Sequence, residues 1–279
     1  MEKGNIASDF ARKAFASAKN YEDVRSEYPE EAVKYFLDKL GVKDDNSRVS
    51  STEARPFTIL EVGCGTGKFT RVMAKVLTDK NVRVIASEPL ESMYEQFKVF
   101  VPGTDIVQCA AESIPLPDAS VDVVVAAQSF HWFTNRAALE EIHRVLVPNG
   151  TFGVLWKVLD STTPWAKHVC NHLDVLDREN SLVFPHHEEW KEVVGSLVKS
   201  LFSFPQEYIG FEHSLEISSY DQAYQHFASY SVVAGNSEIK KKAFKEFFNE
   251  LMQMYFIEKS IPCTNIPFTL YMYWFHKEV

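Results

Sequence analysis

The chain has 279 residues, 46% of them hydrophobic and 24% charged, an ordinary globular balance that excludes disorder over most of its length. Its formal charge of −9 excludes a general affinity for nucleic acid or anionic membrane, since both need clustered Lys and Arg. Residues 1–20 have no signal-like apolar stretch, and no run approaches the roughly 18 apolar residues of a membrane span.

In chain order, residues 8–40 read as helical, and the polar stretch 44–53 reads as a connection. From residue 57 strands and helices alternate: strands at 57–62, 82–87, 105–109, 121–127 and 151–158, helices at 69–77 and 90–99. Leu139, Ile142, His143 and Leu146 line one side of a further helix, with Pro148 and Gly150 expected to stop it. Two helices follow, at 163–176 and 188–201, joined through Phe184-Pro185-His186-His187. Then come a strand at 208–217, a helix carrying Phe244, Phe247, Phe248, Leu251 and Tyr255, and a β-like tail at 267–276. The Lys240-Lys241-Lys242 run falls on that helix as a solvated face.

The expected fold is α/β, a doubly wound and mostly parallel seven-stranded sheet with N-terminal helices and a helical lid after the fifth strand. Its expected parts are an N-terminal cover (1–55), a ligand-binding core (56–160), the lid and substrate region (161–205), and late elements completing the sheet (206–279).

The most informative stretch is Glu61-Val62-Gly63-Cys64-Gly65-Thr66-Gly67, where a strand runs into three alternating glycines and then a helix. Glycines there let the backbone turn tightly and approach a ligand at a helix N-terminus. The dinucleotide fingerprint needs a sixth-position glycine, but that residue is Lys68; a P-loop needs Ser or Thr after Gly67-Lys68, but Phe69 follows. An acidic residue ahead of Gly-x-Gly-x-Gly resembles instead the first motif of Rossmann-like methyltransferases that use S-adenosylmethionine.

Three further matches come in order. Glu88, with Pro89 and Met93 beyond it, closes the second strand; Ala110-Ala111-Glu112 follows the third; Gln128 opens the mouth of the fourth. The resemblance implies that Glu61, Gly63, Cys64, Gly65, Thr66 and Gly67 hold the amino-acid and ribose part, Glu88 the ribose hydroxyls, and residues 110–112 the adenine.

Tyr21-x-x-x-Arg25-x-x-Tyr28-Pro29, Ala127-Gln128-Ser129-Phe130-His131-Trp132-Phe133 and Glu141-x-x-Arg144-Val145-Leu146-x-Pro148-x-Gly150 together resemble a small-molecule methyltransferase family that includes the fungal trans-aconitate methyltransferases. That likeness covers about residues 20–158. It implies that Tyr21 and Tyr28 come from a segment folding over the cofactor, and it departs at Arg25-Ser26-Glu27, where Arg-Pro is commoner.

Methyl transfer from a sulfonium is an in-line displacement that needs alignment, exclusion of water and, for some acceptors, removal of a proton. His131 is the candidate base, against the competing reading that it packs between Phe130 and Trp132 with one structural hydrogen bond. Tyr28, Trp132 and Trp156 are candidate acceptor-binding residues; Trp165, Trp190, Tyr220 and Tyr230 fit either a pocket or the core. His168 and His172, with His186-His187, suggest a metal, but without an Asp or Cys cluster none is expected. No Asn/Asp-Pro-Pro-Tyr or Pro-Cys ends the fourth strand, which with the acidic charge favours a small-molecule acceptor, O-methylation of a carboxylate or hydroxyl slightly preferred. Cysteines 64, 109, 170 and 263 form no CxxC pair and read as reduced thiols, so cytoplasm is the expected compartment, with the chain a monomer or homodimer. The rival readings are a non-catalytic S-adenosylmethionine-binding protein and a methyltransferase acting on protein or RNA.

Overall fold

The short β-branched runs form β1 (Phe57–Val62), β2 (Val82–Ser87), β3 (Asp105–Val107), β4 (Val121–Ala127) and β5 (Leu146–Leu159). β1 pairs in parallel with β2 and β4, β2 with β3, and β4 with β5. With β6 (Gln206–Glu216) and β7 (Asn265–His276) they make a seven-stranded mixed sheet of order β3-β2-β1-β4-β5-β7-β6, the α/β architecture the pattern predicts. The order turns outward from β1 and β4, the switch point where a doubly wound sheet opens a crevice at its carboxyl ends.

The helices are α1 (Gly4–Ala14), α2 (Glu30–Lys39), α3 (Lys68–Val76), α4 (Glu91–Phe100), α5 (Arg136–Val145), α6 (Pro164–Glu179), α7 (Trp190–Val198), α8 (Tyr220–Ala228), α9 (Ser231–Ala234) and α10 (Glu238–Met252). This computed structural model describes residues 4–16, 22–42, 55–78, 81–179, 190–203, 205–257 and 265–278. Among the described residues no helix is long and apolar enough to cross a membrane.

The chain divides into two compact units, and β5, β6 and β7 each contribute to both. The first comprises residues 27–156, 184–210 and 271–279. Its core is aromatic: Phe36, Phe69, Phe97, Phe130, Phe152 and Trp156 are fully buried, each contributing roughly 1.5–3 kcal/mol of burial. α5 starts at a true cap, the Asn135 side chain accepting from Ala138 N–H at 3.0 Å. Its far side holds α7, because the Arg136 guanidinium donates to the carbonyls of Leu197 and Lys199.

The second unit comprises residues 1–26, 157–183 and 211–270. α10 turns Phe244, Phe248 and Leu251 inward as its spacing predicts, and Ser237 caps its start. Trp165 packs edge-on to Phe227 and Phe256, a core position.

Two of the boundaries that differ from the sequence reading have a plain physical cause. α5 ends at Val145, ahead of the expected Pro148-Gly150 stop, and Leu146 already begins β5. Pro148 has no N–H for a ladder, so the strand slips there: Val121 faces Leu146 but Val123 faces Thr151, with Asn149 at φ 63°. Likewise α10 ends at Met252, and Tyr255 lies in a wider π-type turn over Gln253–Ile257 that keeps it buried.

Candidate cofactor and acceptor site

The glycine loop lies in the first unit, where β1 ends. The N–H groups of Gly63 and Cys64 both donate to Ser87 O, at 2.9 and 3.0 Å, tying the loop to the end of β2. Ser129 Oγ donates to Val62 O at 2.7 Å and ties it to the end of β4. Gly63 has φ 69°, and a Cβ there would lie 2.7 Å from Ser129 Cβ. Gly67 has φ 89°, and a Cβ would meet Val101 at 2.4 Å and Phe97 at 2.8 Å. Both positions demand glycine, for backbone conformation and for room. Gly67 precedes the first residue of α3, so the loop opens at a helix N-terminus as the motif requires.

Two carboxylates flank this loop. Glu88 is buried, Oε2 accepting from Gly65 N–H at 2.9 Å and Oε1 from Leu90 N–H at 3.0 Å. Each oxygen keeps a second lone pair for a hydroxyl donor. Burial pushes its pKa up to about 7 against the lowering effect of those two bonds. Glu61 is fully buried; Oε2 accepts from Thr70 Oγ1 at 2.6 Å, and Oε1 has no hydrogen-bond partner. Burial raises its pKa to about 8, Thr70 lowers it, and the charge of Glu88 adds a further rise.

The other predicted residues separate by side chain and backbone. Cys64 is buried in the cluster formed with Ala86, Phe97 and Val101, its thiol 3.7 Å from Gly65 O. Thr66 and Met93 are buried, and Pro89 is exposed beside Glu88. Ala111 is buried between exposed Ala110 and Glu112, whose carboxylate accepts from Asn135 Nδ2 at 2.8 Å. Gln128 sits at φ 55°, its N–H donating to Leu155 O at 2.8 Å, a strained non-glycine at the mouth of β4. Tyr21 lies outside the described residues. Tyr28 is buried edge-on to Phe69, with ring centroids 5.4 Å apart.

His131 stands on a single 3-10 turn after β4, half-buried, its ring 5.4 Å from that of Trp132. Trp156, fully buried on β5, donates its indole N–H to His131 Nδ1 at 3.3 Å. That bond makes Nδ1 the acceptor, so the ring proton sits on Nε2. His172 stacks on Phe247 at 4.3 Å and His168 packs near Tyr255, while His186 and His187 lie outside the described residues.

The supporting roles of several residues escaped the sequence reading. Thr70 and Ser129 hold Glu61 and the loop, but a lone hydroxyl has no signal apart from its partner. Glu27, part of the departure from the family pattern, pairs with Arg71 at 2.5 Å and lies 3.8 Å from Lys68, pinning the segment before α2 to α3. Glu141 and Arg144 act as braces. Arg144 donates to the carbonyls of Ile114 and Leu116, and Glu141 accepts from Ile114 N–H, fixing the segment that leads from residue 112 to β4.

Residues 60–154 match a family described as a methyltransferase domain. Two uncharacterized fission-yeast (Schizosaccharomyces pombe) methyltransferases are similar: one is 34% identical over 55% of this chain and 55% of its own length, the other 37% identical over 54% and 53%. The chain therefore spans about half the length of the curated relatives it matches. A candidate type II methyltransferase from Anaeromyxobacter dehalogenans, 21% identical, superimposes over 90% of this chain and 97% of its own with a TM-score of 0.59. Fold and loop are those of a Rossmann-like α/β domain.

Proposed function

We propose that the chain is an enzyme that transfers a methyl group from S-adenosylmethionine to a small molecule, O-methylation of a carboxylate or hydroxyl preferred. The observation that carries the cofactor is the buried pair Glu61 and Glu88 around the glycine loop. The unpartnered Glu61 Oε1 fits a cationic N–H donor, and Glu88 keeps one lone pair per oxygen for a diol. S-adenosylmethionine has both an ammonium and a ribose diol, and when bound it supplies an electrophilic methyl on sulfur.

The chain's own residues align and shield. Gly63, Gly65 and Gly67 permit close backbone approach, and buried Glu61 offers a carboxyl group that a bound cation would turn to the carboxylate. His131, with Nδ1 held by Trp156, carries its proton on Nε2 and so acts as a hydrogen-bond donor that orients an acceptor oxygen. A carboxylate acceptor is already nucleophilic and needs no base. The charge of −9 and the missing Asn/Asp-Pro-Pro-Tyr support a metabolite over a nucleic acid. The expected setting is the cytoplasm, as monomer or homodimer.

Calorimetric titration with S-adenosylmethionine and with NAD tests the cofactor. Wild type should bind S-adenosylmethionine, and Glu88→Ala should weaken it by about 1–3 kcal/mol, the worth of a hydrogen bond to a charged group. Preference for NAD, or no binding by folded protein, would overturn the reading. Turnover on a metabolite mixture separates the enzyme from a non-catalytic binder.

A further inference from the structure

Glu61 and Thr70 lie on either side of the glycine loop, one near the end of β1 and the other in the first turn of α3, and both are fully buried in the first unit. The Thr70 hydroxyl has a single proton to donate, and it goes to Glu61 Oε2 at 2.6 Å. A threonine in a helix can instead turn that proton to the carbonyl three or four residues earlier. Here the Thr66 carbonyl is met by Arg71 Nη1 at 3.4 Å. The main chain of Glu61 is held as well, its carbonyl accepting from Ser87 Oγ at 3.3 Å. Only Oε1 is left over, buried and without a hydrogen-bond partner.

We propose that Thr70 is a positioning residue of the cofactor site, its hydroxyl holding Glu61 Oε2 so that Oε1 alone is presented to the ammonium of S-adenosylmethionine. The inference rests on the cofactor reading above and adds to it the group that aims the carboxylate.

Thr70 acts through Glu61. Burial holds the Glu61 carboxyl toward its neutral form in the free protein, while the Thr70 bond works against burial and favours the carboxylate. A cation at Oε1 completes the ionisation, and the Thr70 bond then becomes charge-assisted, roughly twice as strong as its neutral counterpart. The hydroxyl on one oxygen and the ammonium on the other therefore strengthen each other through a single carboxyl group. This coupling exists only for a ligand that carries the ammonium. The methyl group of threonine also restricts χ1, so the hydroxyl is less free to leave Oε2 than that of a serine would be.

The test is calorimetric titration of the full-length protein with two ligands. One is S-adenosylhomocysteine; the other is 5′-methylthioadenosine, which shares its adenosine and thioether but has no amino-acid end. Thr70→Val keeps the shape without the donor. It should raise the Kd for S-adenosylhomocysteine about tenfold, or about 1.4 kcal/mol, and leave that for 5′-methylthioadenosine within about twofold. Thr70→Ser keeps the donor and should recover most of the loss. In a Glu61→Gln background, where the side chain cannot ionise, Thr70→Val should add little. Equal weakening toward both ligands would make Thr70 a plain support of the loop and overturn the inference, as would no change toward either, or a loss that serine does not recover. Wild type that fails to bind S-adenosylhomocysteine would bring down the cofactor reading and this inference with it, whereas wild-type binding indifferent to Thr70 overturns the inference alone. Should Thr70→Val not fold, Thr70→Ala makes the same comparison.

Discussion

The indole N–H of Trp156 donates to Nδ1 of His131 across 3.3 Å, joining β5 to the turn after β4. An acceptor at Nδ1 means that the ring can take up a second proton only by breaking this bond. The relationship therefore favours hydrogen-bond donation from Nε2 over proton removal.

His131→Ala should lower kcat by about 10²-fold, at the low end for a positioned side chain, with little change in cofactor affinity. His131→Asn, which retains an N–H donor, should recover part of the loss, and Trp156→Phe should lower kcat without moving the Kd for S-adenosylmethionine. Steady-state kinetics beside calorimetry reads this; equal losses of turnover and affinity, or neither, would remove His131 from the reaction.

Gly65 and Gly67 make an internal control for the loop. Both have positive φ, but a Cβ at Gly65 meets nothing within 4 Å, whereas one at Gly67 overlaps Val101 and Phe97. Gly65→Ala should cost about 1 kcal/mol from backbone strain alone, and Gly67→Ala at least about twice that. Urea denaturation decides, and an equal cost at the two positions would refute the steric part.

The pH dependence of the free protein follows from Glu61 and Glu88, raised to about 8 and about 7 from 4.5 chiefly by burial. A raised carboxyl favours the folded state in its neutral form. That stability is fully present below 4.5 and is lost as pH rises through about 7 and 8. A cationic ligand facing Glu61 favours the carboxylate, so cofactor binding at pH 7 should release protons. Calorimetry in two buffers of different ionisation enthalpy measures that release; proton uptake would contradict the placement of Glu61 beside a cation.

His226 has the opposite sign. Its folded pKa is depressed well below 6.5, by burial first and then by the charge of Arg25, so the neutral ring is the form that suits the fold. Its contribution is complete above 6.5 and is lost as pH falls through the depressed value. His226→Gln should flatten the acid limb of a melting-temperature profile, and an unchanged limb would assign acid sensitivity to other groups.

Much of the sheet was legible because buried parallel strands are near-continuous Val, Ile and Ala, and the glycine spacing located the loop. Residues 146–150 misled because Pro148 is also a good helix stop, and only pairing with β4 shows the strand starting earlier. The tautomer of His131 depends on Trp156, 25 residues away, and the anchoring of Lys157 depends on Ser26 meeting it across 131 residues. Neither pairing leaves a mark in local spacing. Cys64 shows the reverse limit: its place in the motif was visible, but which way its thiol turns was not.

Because Glu88 already holds Gly65 and Leu90 by their N–H groups, the loop that would meet the cofactor is built before anything binds. An arriving molecule does not have to order it. Association should therefore be a single fast step whose rate is set by diffusion and orientation, and selectivity among analogues should appear in how quickly they leave.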